Sequence, residues 1–144
     1  MQSFYLDITD DELQAVLKDN DNMGKNSHVG NVAVALVKLY FLSQYSDATF
    51  AVAKNGADLE VSYRGKTDRY EVKGTVGNDL AWQKLKVSSQ DCYECLKNGM
   101  TLIRVTGVGS RTVGFHFLKF GEDFDLVPEV RYAVKPIRKP RKPR

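Results

Sequence analysis

The chain is expected to fold as a single α/β domain, a mixed central sheet flanked by helices. Three observations carry this expectation. Some stretches repeat apolar residues at helical spacing and others alternate them at strand spacing. The two kinds are interleaved, in the order helix, helix, three strands, helix, two strands. The three middle strands follow one another through short turns, as in a meander. A chain of 144 residues is long enough to bury one real core.

The elements follow in order. Thr9-Asp10-Asp11-Glu12 fits a capping box, with Ile8 and Leu13 placed as a hydrophobic staple. A short helix with Leu13, Val16 and Leu17 on its apolar side comes next, and residues 20–26 read as a polar loop. Ser27 opens a second helix to about Gln44, whose wide apolar face (Val29, Val32, Ala33, Leu36, Leu39, Tyr40) implies extensive burial. It holds no acidic residue.

Residues 48–53 read as a strand, ended by the Asn55-Gly56 turn. A hairpin follows around Arg64-Gly65-Lys66. Leu59, Val61 and Tyr63 alternate with Asp58, Glu60 and Ser62 on its first strand, and Tyr70 and Val72 with Glu71 and Lys73 on its second. Asp68 reads as a turn residue before that second strand. Residues 76–87 are irregular. Ser88 or Ser89 caps a helix to about Asn98, stopped by Gly99. Residues 101–105 and 112–120 are strands, paired around Gly107–Ser110, and residues 121–134 close the domain. The expected organisation is a capping helix and loop over 1–26, a core over 27–134 and a tail over 135–144.

The net charge of +3 hides an asymmetry. Lys135, Arg138, Lys139, Arg141, Lys142 and Arg144 are six cations with no acid among them, and without them residues 1–134 carry −3. With its prolines, this arm is expected to be extended and mobile and to hold an anionic partner, nucleic acid above all, by salt-sensitive phosphate contacts. No apolar run is long enough to cross a membrane and no signal-peptide pattern opens the chain, so a cytoplasmic protein without membrane contact is expected. Two cysteines indicate no disulfide framework.

Strand alternation puts Glu71 and Lys73 on one face, and hairpin pairing brings Asp58 near it. Two carboxylates and a lysine on a rigid sheet suit metal-dependent phosphodiester hydrolysis. Mg²⁺ or Mn²⁺ prefers oxygen and is often held by one or two carboxylates plus water and phosphate. Asp58 and Glu71 are the candidate ligands, with the Val72 backbone carbonyl a third. Lys73 is placed to orient the attacking water or to stabilise transition-state charge.

Asp58, Glu71-Val72-Lys73 and the order of elements around them resemble the PD-(D/E)XK nuclease superfamily. More narrowly, Tyr70-Glu71-Val72-Lys73-Gly74-Thr75, Val87-Ser88-Ser89-Gln90 and Thr101-Leu102-Ile103-Arg104-Val105 look like the nuclease-like domain at the C-terminus of the plant protein NO VEIN. The resemblance spans about Ser27 to Val105. It implies a restriction-endonuclease-like fold and a Mg²⁺-dependent endonuclease acting on nucleic acid, foremost DNA, as a homodimer or as a subunit of a larger complex. Ala57 stands where the motif has proline. Asn31, with His28 nearby, stands where many relatives carry a glutamate on the first core helix, and Gln90 where the narrower group often has an acid.

The other candidates are weaker. Glu60 shares the polar face of Asp58 and is read as exposed. Cys92 and Cys95 lack a second ligand pair and are read as packed helix residues. His116 is read as a strand-face residue. Trp82 is read as an anchor for its loop, with base stacking as its other role, and Lys84 and Lys86 as nucleic-acid contacts. The alternatives to a nuclease are a catalytically inactive nucleic-acid-binding module of the same fold and an adaptor whose tail engages an acidic protein.

Overall fold

The structure, a computed structural model, describes residues 1–20, 27–53 and 55–137. It is an α/β protein whose described residues form one six-stranded mixed sheet and three helices. The elements are β1 (Gln2–Asp7), α1 (Asp10–Asp19), α2 (Ser27–Gln44), β2 (Thr49–Val52), β3 (Leu59–Tyr63), β4 (Lys66–Gly74), a 3-10 turn (Trp82–Lys84), α3 (Gln90–Lys97), β5 (Thr101–Thr106) and β6 (Thr112–Leu118). The strand order is β1-β6-β5-β4-β3-β2. Of these neighbours only β4 and β5 run parallel, joined by the long connection that contains α3, as a parallel pair requires.

The local signals act as expected. Thr9 and Glu12 form both halves of the capping box of α1. The β3–β4 hairpin turns on Arg64 and Gly65, both at positive φ (49° and 74°), the combination that matches strand twist. Ser89 caps α3 by accepting the Cys92 N–H, and Gly99 follows the helix at φ 106°.

Two features correct the sequence reading. Residues 2–7 form a strand, β1, antiparallel to β6 from Gln2–Phe117 to Asp7–Thr112. Its apolar residues Phe4, Tyr5 and Leu6 are consecutive rather than alternating, and the pairing partner lies more than a hundred residues away. Asp68 lies inside β4, opposite Val61; the exposed half of that strand carries polar residues and so lacked an apolar signal. Of the loop over 20–26 only Asn20 is described, and of the basic arm only residues 135–137. No helix among the described residues is long and apolar enough to cross a membrane.

The sheet has two differently covered faces. On one, α1 and α2 bury Val32, Ala33, Leu36, Val37, Tyr40 and Phe41 against Leu59, Val61, Tyr70, Val72, Ile103 and Phe115. α2 keeps Asn31, Lys38 and Leu42 exposed, so it is buried on one side rather than all round. On the other face, Cys92 and Leu96 of α3 pack with Leu102 and Leu118, joined by Leu85, Val87, Phe124 and Leu126 from the connecting segments.

His116 sits on a polar strip of the sheet, bonded through Nδ1 to Ser3 Oγ (2.8 Å) and through Nε2 to Thr106 Oγ1 (3.0 Å). Burial, then the charge of Arg104, lowers its pKa below 6.5. Unfolded imidazole takes up a proton that the folded ring resists. Stability is therefore lost as pH falls from 6.5 toward the lower folded value. His116→Gln is expected to lose less stability than wild type between pH 7 and 5 in urea denaturation; equal losses would refute this.

Candidate functional site

β4 carries the site because its two faces have different neighbours. Tyr70 and Val72 point into the α2 core, so Glu71 and Lys73 point to the α3 side. β3 stops pairing at the Leu59–Tyr70 rung. The chain before it turns away through Asn55 and Gly56, at φ 59° and 96°. Asp58 fills the gap. Its N–H donates to the Tyr70 carbonyl (2.9 Å) and its Oδ2 accepts the Val72 N–H (2.9 Å). A strand residue points its N–H and C=O to the same edge, so the Val72 carbonyl faces the same side as Asp58.

Glu71 is 6% exposed. Its Oε2 accepts the Cys92 S–H at 2.7 Å, and Lys73 Nζ lies 3.9 Å from Oε1. Burial first, then a hydrogen bond with Asp58 and the charge of Asp58, push the Glu71 carboxyl up to about 8, against the Cys92 thiol and Lys73. Burial and a like-charged neighbour outweigh one ammonium, about one-third exposed, at the limit of ion-pair range. At pH 7 Glu71 is thus mostly protonated, and the Glu71–Lys73 contact is not a full ion pair. Burial and Glu71 also raise the Cys92 thiol, which keeps it a donor rather than a thiolate.

These groups line a cavity of about 180 Å³, bounded by Gly56, Asp58, Glu71, Lys73, Ser88 and Cys92. Gly56 closes one side by backbone contact with the first turn of α3; a Cβ there would lie 2.4 Å from the Asp91 carbonyl carbon. Two carboxylates lining one cavity, with a strand-edge carbonyl beside them, make an oxygen donor set that fits a hard divalent cation. Among the described residues no three His, Cys, Asp or Glu side chains form a complete metal cage. A cation here would draw its remaining ligands from water and phosphate.

The structure brings Asp58, Glu71, Lys73 and the Val72 edge together and leaves other candidates apart. Asn31 is exposed on α2, which covers the opposite face. His28 Nδ1 bonds the Asn20 carbonyl (2.6 Å), and Glu60 does not line the cavity. Lys84 and Lys135 are exposed, whereas Lys86 is ion-paired with Glu129. Arg138, Lys139, Arg141, Lys142 and Arg144 lie outside the described residues. Trp82 does not anchor its loop: it is 46% exposed. The anchors are Leu85 and Val87 on the α3-side core, and Arg104.

Three contributors went unread in the sequence. Cys92 is a packed helix residue, but its thiol meets Glu71. Gly56 is a turn residue, but one that touches α3. Arg104 is 3% exposed and donates through Nε to the Leu80 carbonyl (2.8 Å) and through Nη1 to the Gly74 carbonyl (3.2 Å), tying the 75–87 connection to the sheet. An arginine inside Thr-Leu-Ile-Arg-Val-Thr was its available signal, since a buried charge needs partners. At Gly74 α2 packs close to β4: a Cβ there would lie 2.7 Å from Ala33 Cβ.

Comparison with family models, curated proteins and solved structures gave no match.

Proposed function

We propose that the protein is a metal-dependent nuclease of the PD-(D/E)XK type, with a restriction-endonuclease-like arrangement of its core, hydrolysing phosphodiester bonds of nucleic acid, DNA first. One observation supports the reading: Asp58, Glu71 and Lys73 line one small cavity at the edge of β4. A cation between the two carboxylates would offset their mutual repulsion. Asp58, Glu71 and the Val72 carbonyl would hold Mg²⁺ or Mn²⁺. When bound, the ion supplies Lewis-acid polarisation of a phosphate oxygen and a more acidic water.

The residues divide the remaining work. Asp58, braced by the Val72 N–H, keeps its carboxylate at the strand edge. Glu71, whose carboxyl burial raises to about 8, would have to lose its proton to hold a cation, so binding would strengthen as pH rises toward 8. Lys73 is about one-third exposed and next to Glu71. Its ammonium can reach the water or the phosphate and offset developing negative charge. The basic tail supplies sequence-independent phosphate attraction. Cutting both strands of a duplex would call for two such sites, in a homodimer or a larger complex.

The test is cleavage of plasmid and of single-stranded DNA with Mg²⁺, with Mn²⁺ and with EDTA. Cleavage is expected with either ion and absent in EDTA. Lys73→Ala should lower the rate roughly 10²- to 10⁴-fold, the usual span for a positioned proton-transfer or electrostatic group. Inert protein in all metals, or unimpaired Lys73→Ala, defeats the catalytic reading. Two features favour a non-catalytic binding module instead: α2 has no acid, and the Cys92 thiol occupies one Glu71 oxygen. That reading expects salt-sensitive, metal-independent binding, lost on deletion of residues 135–144.

A further inference from the structure

α3 carries Cys92 and Cys95 one helical turn apart, so the two thiols share one face of the helix. That face looks onto the carboxylate site. Cys92 Sγ donates to Glu71 Oε2 (2.7 Å). Cys95 Sγ donates to the Asn55 carbonyl (3.2 Å), at the turn that leads to Asp58. The two S–H groups thus tie α3 to both segments that hold the carboxylates. The thiols differ in access. Cys92 is 5% exposed and lines the cavity, whereas Cys95 is part-exposed. Both are free.

Geometry and access together make the pair competent to join. Residues three apart in an α-helix have Cα atoms roughly 5 Å apart, inside the about 4.4–6.8 Å that a disulfide spans. A reagent reaches the part-exposed Cys95 first, and Cys92 then stands one turn away to displace it. Neither sulfur is held firmly, since each gives only a weak S–H hydrogen bond. The Gly56 backbone packs against Asp91 and Cys92, so the first turn of α3 closes against a firm support. A bond closed within a helix carries strain, and strained or exposed disulfides are the readily reduced kind.

We propose that Cys92 and Cys95 form a reversible oxidation site, closed to a disulfide by a low-molecular-weight disulfide such as glutathione disulfide. Cys95, as thiolate, attacks one sulfur of that reagent. The reagent's S–S bond breaks, one small thiol leaves with the proton Cys95 gave up, and a mixed disulfide stays on Cys95. Cys92 Sγ then attacks Cys95 Sγ, and the second small thiol leaves with the Cys92 proton. Two protein thiols are oxidised and one small disulfide is reduced to two thiols. Closure withdraws both S–H groups, so Glu71 Oε2 loses its donor and the Asn55 turn its tie to α3. For a cation held by Asp58 and Glu71, a consequence that rests on the nuclease reading, one more carboxylate oxygen becomes free.

Full-length protein, which has two cysteines, is incubated with glutathione disulfide and its intact mass is followed. Wild type is expected to lose two hydrogens, about 2 Da, and to keep no glutathione. Dithiothreitol should restore the starting mass. Cys92→Ser should stop at one glutathione, held on Cys95. Cys95→Ser should react roughly tenfold or more slowly, because only the buried thiol remains. A lasting glutathione adduct on wild type, an unchanged mass, or Cys95→Ser reacting as fast as wild type overturns the site. Mn²⁺ binding by reduced and oxidised protein is then compared through the electron paramagnetic resonance of the free ion. The oxidised form should bind roughly 2- to 12-fold more tightly, the worth of one hydrogen bond. Equal binding by the two forms overturns the link to Glu71. A disulfide formed in a protein that binds no Mn²⁺ in either state would leave the oxidation site standing and remove the metal reading. Mn²⁺ binding by a protein whose thiols stay reduced would do the reverse.

Discussion

Glu71→Gln is expected to make the metal-free protein more stable at pH 8 while abolishing metal-dependent cleavage. The carboxyl is raised from 4.5 to about 8 by burial and by Asp58. A raised acid binds more protons folded than unfolded between those values, so wild-type stability falls as pH climbs from 4.5 to 8 and levels off above. Glutamine keeps the shape and never carries the charge. It should flatten that slope and gain on the order of 2–4 kcal/mol at pH 8, given about 1.4 kcal/mol per pKa unit. Urea denaturation in EDTA from pH 5 to 8 measures it. His116 acts in the opposite sense below 6.5, so the informative quantity is the difference between variant and wild type at each pH. Parallel curves would show that Glu71 is not held protonated. At pH 8, Mn²⁺ should raise the melting temperature of wild type, because a ligand of the native state stabilises it, and leave the variant unmoved.

Gly56→Ala should be the most damaging small substitution near the site. The residue has φ 96°, and a Cβ would lie 2.4, 2.5 and 2.7 Å from backbone atoms of Asp91 and Cys92. Those atoms belong to the first turn of α3 and cannot rotate aside as a side chain can. The left-handed backbone costs about 1–2 kcal/mol, and forcing the two segments apart adds roughly 1–3 kcal/mol more. Gly65→Ala is the control: it has φ 74° with nothing within 4 Å of the added carbon, so it should carry the backbone cost alone. The measured gap between the two in urea isolates the contact between the turn over residues 55–58 and α3. That contact sets how far Asp58 and Cys92 stand apart, so Gly56→Ala should also weaken cleavage. Equal destabilisation of the two variants would mean that α3 yields freely.

Most elements were legible because their causes are local. The capping box over Thr9–Glu12, the positive-φ turn at Arg64-Gly65 and the Ser89–Gly99 limits of α3 are written within a few residues. Alternation on β4 was enough to put Glu71 and Lys73 on one face. β1 was illegible because its strand character depends on β6, and half of β4 because its outer residues are polar. Trp82 was misread because a large aromatic is more often buried than set at a rim, and no neighbouring residue says which.

The sequence by itself determined the α/β class, the hairpin, and the shared face of Glu71 and Lys73, since helix caps, turns and strand period are short-range constraints. Only the tertiary structure decided that Glu71 is buried against Cys92 and that Asp58, Glu71 and Lys73 line one cavity. Those follow from the packing of α3 and the 75–87 and 124–131 segments onto one sheet face. Desolvation and cavity shape are properties of what surrounds a residue, and that is set by chain segments tens of residues away.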